Sequence, residues 1–290
     1  MPTLRKSTLI ALSLSALLTS GAGVAAETPA QEADAYLLAA EGALSLHQNP
    51  DEALRLMSRA AELARDHPDL AWLHIQACRI VDTCDPEPVE ARLRSLDQRN
   101  GAGWLEALHR ASRRGDEPAR AEALAAIARS ERVDLYWTAL VAGMSRQVAT
   151  TGTQTLYDAQ VVVIGALAAI AIPAYQDLSS TCKGDGLRLE QVIQVCRSVG
   201  RALMNGDTWI TERVGISITQ RAWPEGSPAW NRAAEARRIG DYQIQLAGQH
   251  MEWIASHADE HLDLHARHRR EQDVFREILV AAGRNPLPSN

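Results

Sequence analysis

Four aromatic residues recur along the first half of the chain at a nearly even interval: Tyr36, Trp72, Trp104 and Trp137 stand 36, 32 and 33 residues apart. A period of that length holds two short helices and their turns. Such a unit cannot bury its own apolar face, so it must stack on a copy of itself. Between the aromatic positions, second helices are announced by similar starts, Asn49-Pro50-Asp51-Glu52, Asp85-Pro86-Glu87 and Asp116-Glu117-Pro118. There a capping side chain accepts from an orphan N–H, and Pro in the first turn removes another. The first of these helices carries Ala53, Leu54, Met57, Ala60, Ala61 and Ala64 at helical spacing, one face that a neighbouring unit must cover. A composition rich in Ala, Leu and Arg, with a single Phe, favours helices over a sandwich of β-branched strands. The expected fold is all-α: α-hairpin repeats over residues 33–149, a C-terminal helical bundle over 153–282, and a short tail, 283–290.

The stretch Pro50-Asp51-Glu52-Ala53-Leu54, with small Ala60 seven residues after Ala53, resembles the second helix of the tetratricopeptide repeat, whose 34-residue unit pairs two helices. The likeness spans about 120 residues; the Gly-and-Tyr pattern of that family's first helix is mostly missing, and Pro68 closes the unit late. The resemblance implies a solenoid that binds a protein or peptide partner on its concave face, without catalysis.

Charge narrows the partner further. With 36 acidic against 30 basic residues the net charge is -6, so no overall positive field draws phosphate backbones, and nucleic acid is not an expected partner. At the start of the chain, Arg5 and Lys6 precede an apolar run from Thr8 to Leu18 and then small residues to Val24-Ala25-Ala26. That order reads as a secretory signal, with cleavage expected after Ala26 and a periplasmic or secreted destination without a stable membrane span. An exported chain with four cysteines is expected to hold two disulfides; of three possible connectivities, the close pairs Cys78 with Cys84 and Cys182 with Cys196 are favoured. Metal ligation is the rival, although neither pair has C-x-x-C spacing.

The C-terminal part offers three further features. The run from Val161 to Asp177 resembles the N-terminal helix of type IV pilins, but it lies mid-chain, has Leu156 where pilins carry Glu, and reads as a buried core helix stopped by Pro173. Further on, His250, His257, His261, His265 and His268 fall within about 80° of arc if one long helix runs through 241–282. His257, His261 and His265, spaced four apart, could chelate Zn or Cu. The same stripe contains Leu246, Trp253, Ile254 and Leu264, so its rings could equally be packing groups. Finally, His257-Ala258-Asp259-Glu260-His261 matches H-x-x-E-H, the inverted zinc-protease motif, which would make the chain a zinc hydrolase. No nucleophile elbow, phosphate loop or dinucleotide fingerprint occurs. The function expected is an exported, non-enzymatic binding or scaffold module of the bacterial envelope, with metal binding through the histidines as the alternative.

Overall fold

Two of the three expected helix starts form with their side-chain caps, whereas the helix after Asp85 has Pro86 at its N-cap and no side-chain cap. In a computed structural model describing residues 28–170, 175–248 and 251–288, the Thr28 hydroxyl accepts from Gln31 N, opening α1 (Pro29–Ser45). Asn49 and Asp116 likewise cap α2 (Pro50–Leu63) and α6 (Glu117–Arg129), each with Pro in the first turn. Between them lie α3 (Pro68–Ile80), α4 (Glu87–Leu96) and, after a 3-10 turn at Gly101–Trp104, α5 (Leu105–Arg114). Gly115 ends α5 in the left-handed region at φ 67°, where a Cβ would be strained. Among the described residues there is no strand; Asn100 and Arg132 make an isolated parallel bridge between two of the inter-helix loops. The expected signal segment, the cleavage position after Ala26 and His250 lie outside the described residues.

The first six helices pack in sequence, each against the next or through the 3-10 turn, in a repeat-like array. The array continues where the sequence does not predict it: α10 (Glu190–Met204) lies against α6 and pairs with α11 (Trp209–Ala222), which in turn packs on α12 (Pro228–Ala247). The α10–α11 crossing is close because Gly215 faces the α10 backbone; a Cβ there would stand 2.4 Å from Met204 N. One cluster of buried apolar residues runs from Ala35 to Ala222.

The intervening helices, α7 (Trp137–Thr150), α8 (Leu156–Ile170) and α9 (Tyr175–Thr181), fold back over the first helices of the hairpins. Both α7 and α8 pack on α1, and the Tyr36 ring lies so close to Gly143 that an added Cβ would stand 2.5 Å from it. Past α8, Arg79 on α3 donates to the Ile170 carbonyl, and His109 on α5 meets Asp177 on α9 at 2.9 Å. The face of α1 where a solenoid would receive a partner is thus covered by the chain's own helices, whereas α5 keeps an open cavity beside Glu106, His109 and Arg110. Only one face of the pilin-like helix is buried, through Ala159, Val163, Leu167 and Ile170, whereas Val161 is 47% exposed. Among the described residues no single helix is long and apolar enough to cross a membrane.

The expected aromatic equivalence fails in detail. Trp72 is fully buried inside α3, Trp104 is half-buried at the end of a 3-10 turn under the Arg94 guanidinium, and Trp137 opens α7 beside a cavity. The interval survives because hairpin length sets it; the environments differ because each loop enters its helix at a different residue. A second correction concerns 241–282. Instead of one helix or two, α12 ends at Ala247, and α13 (Met251–Ser256), α14 (Ala258–Arg267) and α15 (Glu271–Ala281) follow as separate pieces. Arg269 pairs with Asp134 and donates to the Asn205 carbonyl; Arg270 donates to the Gly206 carbonyl and to Glu212. Those long-range bonds pull the chain out of helical geometry between α14 and α15.

Candidate functional site

Both cysteine pairs are joined: Cys78 to Cys84 at the end of α3, and Cys182 to Cys196 between the loop after α9 and α10. None of the four cysteines lines the cavity that forms the candidate site.

That site lies where α7 and α8 meet α14 and α15. Among the described residues, a cavity of ≈ 230 Å³ opens between Trp137, Tyr157, Val161, Ile164, Ile254 and Phe275, with Gln160, His261, His265 and Glu271 also on its wall. Apolar walls with a few convergent polar groups are what a small-ligand or side-chain pocket requires. Its position follows from one buried carboxylate. Asp207, fully buried, accepts from the N–H groups of Leu135 at 2.8 Å and Trp137 at 2.9 Å, and its own carbonyl accepts from Glu271 N at 2.8 Å. It caps α7, fixes Trp137 and Glu271 as opposite walls, and holds Tyr136 between its two donors at φ 58°, the one described non-glycine residue in the left-handed region. Burial and the nearby Asp134 raise the Asp207 pKa against the two backbone donors.

The polar groups of the cavity are nearly stripped of water. His261 Nδ1 lies 2.9 Å from Gln160 Oε1, while Gln160 Nε2 donates to the Ala258 carbonyl, so that ring is held by a side chain from α8. His265 meets His261 edge-on with ring centroids 4.7 Å apart, and its buried Nδ1 has no hydrogen-bond partner. Burial holds the His261 pKa down to about 4; burial and the two flanking histidines hold His265 down to about 3. Both rings are therefore neutral across the physiological range. Glu271 accepts from Trp209 N at 3.0 Å, yet burial pushes its pKa up to about 7, so its ionised and neutral forms coexist near neutral pH. The arrangement offers two uncharged imidazoles, the Gln160 amide and a part-ionised carboxyl in an apolar wall.

The histidine stripe does not survive as one line. His257 is the residue before α14, exposed, stacked on Trp253 at 4.6 Å, with Nδ1 3.0 Å from the Trp253 carbonyl. His268 ends α14 and pairs with Glu277 at 2.8 Å. The structure thus brings His261 and His265 together and leaves His257 on the surface, with Glu260 of the H-x-x-E-H match also exposed. The chain breaks at His257 and at His268 rotate the outer rings away from the inner two. Asp207, Glu271 and Gln160 were missed by sequence reasoning. Asp207 carried a weak signal, standing just before the Thr208 cap of α11, but nothing local shows that it caps α7 instead. No protein-family model, curated protein or solved structure matches this chain.

Proposed function

We propose that this chain is an exported, non-enzymatic binding protein, built on divergent tetratricopeptide-like hairpins, that holds an apolar or aromatic side chain of a protein or peptide partner in the cavity between α7, α8, α14 and α15. The observation that carries the reading is the unpartnered Nδ1 of His265 in a cavity whose walls are apolar. A buried polar atom left unsatisfied costs about 1 to 3 kcal/mol. A guest that fills the cavity and meets that nitrogen recovers the cost and adds the transfer energy of its own apolar surface. Val161, exposed at the rim, extends the apolar wall onto the surface where the rest of a peptide would lie. Export is supported by the Arg5-Lys6 and apolar pattern together with two disulfides.

The test is a synthetic peptide array probed with the wild type and with Ile164→Glu, which places a carboxylate in the cavity wall. The reading expects peptides with Trp, Tyr, Phe or Leu at one fixed position to be retained by the wild type and lost in the variant, at least tenfold. Equal retention by both proteins would remove the cavity from any binding role.

A further inference from the structure

A second cluster lies at the far end of α3 and is independent of the cavity. His74 and Cys78 stand four residues apart on that helix, on one face, and the turn that follows brings Cys84 back through its N–H to the Val81 carbonyl at 3.0 Å. A ring nitrogen of His74 and the two sulfurs all lie within 4.8 Å of one another, and among the described residues this is the group of three ligand-type side chains so arranged. Two thiolates and an imidazole around one Zn²⁺ need separations of roughly 3.5 to 3.8 Å, given bonds of about 2.3 Å to sulfur and 2.0 Å to nitrogen at tetrahedral angles. With the Cys78 and Cys84 Cα atoms 5.1 Å apart, the two thiol arms of the reduced pair can reach that span.

We propose that the Cys78–Cys84 pair is a redox-gated metal site: reduced by a dithiol, it binds one Zn²⁺ or a similarly thiophilic divalent cation through His74, Cys78 and Cys84. The reducing dithiol gives two electrons and two protons to the disulfide and leaves as its own cyclic disulfide, while Cys78 and Cys84 become thiols. Each thiol then loses its proton to water as the cation forms two metal–sulfur bonds and one bond to the imidazole. Cys78 and Cys84 border an open cavity of ≈ 1070 Å³ between the 81–86 loop and α5, which leaves room for a fourth ligand from solvent. Access separates this bridge from the other one. Cys84 is half-exposed beside that cavity, whereas Cys182 and Cys196 are both 0% exposed, so an attacking thiolate reaches the first pair and is excluded from the second.

The experiment uses the full chain, reduced with dithiothreitol, desalted without oxygen and titrated with Co²⁺, which reports thiolate ligation by a charge-transfer band and tetrahedral geometry by intense d–d absorption. The expected result is one Co²⁺ per reduced chain, displaced by Zn²⁺, and none on the oxidised chain. His74→Ala weakens binding at least tenfold and loses the tetrahedral intensity, with circular dichroism confirming that the helices persist; Cys84→Ser, in the loop, abolishes the charge-transfer band. A reduced chain that binds no Co²⁺, a band that survives Cys84→Ser, or an affinity unchanged in a folded His74→Ala variant would each overturn the site.

Discussion

The inner face of the hairpins and the C-terminal cavity are two hollows of similar promise that reach opposite ends. Along α1 the hollow is filled from within by α7 and α8; Tyr36 donates to Asp69 at 2.7 Å, while Gln76 Oε1 on α3 and Ser145 Oγ on α7 are sealed in without a partner. At the C-terminal cavity α7 and α8 turn their other side outward, and His265, whose buried Nδ1 also lacks a partner, stands on the wall of a cavity. An unsatisfied group sealed inside a covered face is a cost of the architecture; one beside an open cavity is where a guest gains most.

The widest difference is expected in the covered region. Trp72→Ala removes a fully buried ring and should cost about 3 to 5 kcal/mol in urea unfolding, through lost transfer energy and the cavity left behind. Trp104→Ala is the contrast within the same array. Its side chain is half-buried and lies 4.3 Å beneath the Arg94 guanidinium, so a loss of about 1 to 2 kcal/mol is expected. Equal losses would restore the equivalence that the aromatic interval suggests.

Acid separates the two regions next. The folded pKa values of His261 and His265 are lowered, so their stabilising neutrality is complete above the unfolded value near 6.5 and is lost as pH falls toward about 4 and about 3. Glu271 acts oppositely: its folded pKa of about 7 lies above the unfolded value, so its penalty at neutral pH is relieved as pH falls. Glu271 is common to wild type and a His261→Gln, His265→Gln double variant, so their difference reports the histidines alone. Between pH 6.5 and 4.5 wild type should lose about 4 kcal/mol relative to that variant, read from unfolding midpoints. Parallel curves would show the rings to be hydrated. A smaller effect tests the closure of the covered face. Gly143→Ala drives a Cβ into the Tyr36 ring and should cost about 1 to 3 kcal/mol while admitting protease at the α7–α1 seam; a neutral substitution would show that α7 is not seated there.

How much of this was legible follows the range of the interactions. Asn49 and Asp116, each three residues before the N–H it accepts from, announce their helices locally, and the hairpins they open are where the sequence places them. The two close cysteine pairs are equally local. Gly240 misleads, since it looks like a stop but sits inside α12, where a Cβ would stand 2.9 Å from the Trp209 ring; the glycine serves a close approach and not a turn. The break after α14 has no Gly or Pro to mark it and comes from Arg269 and Arg270 reaching groups some 60 to 135 residues away in sequence. The cavity is still less visible, because its polar groups are assembled from α8, α14 and α15, and its walls are set by Asp207, which no local pattern connects to Trp137.

Phe275 is the single Phe of the chain and lies on the cavity wall. Ring-fluorinated Phe incorporated there gives one resonance that reports this hollow and no other. Titration with a Trp-containing peptide retained on the array should shift that resonance saturably at a 1:1 ratio, with no shift from the same peptide carrying Ala in place of Trp. A peptide that binds the chain while leaving the Phe275 resonance unmoved would place the partner elsewhere and contradict the account.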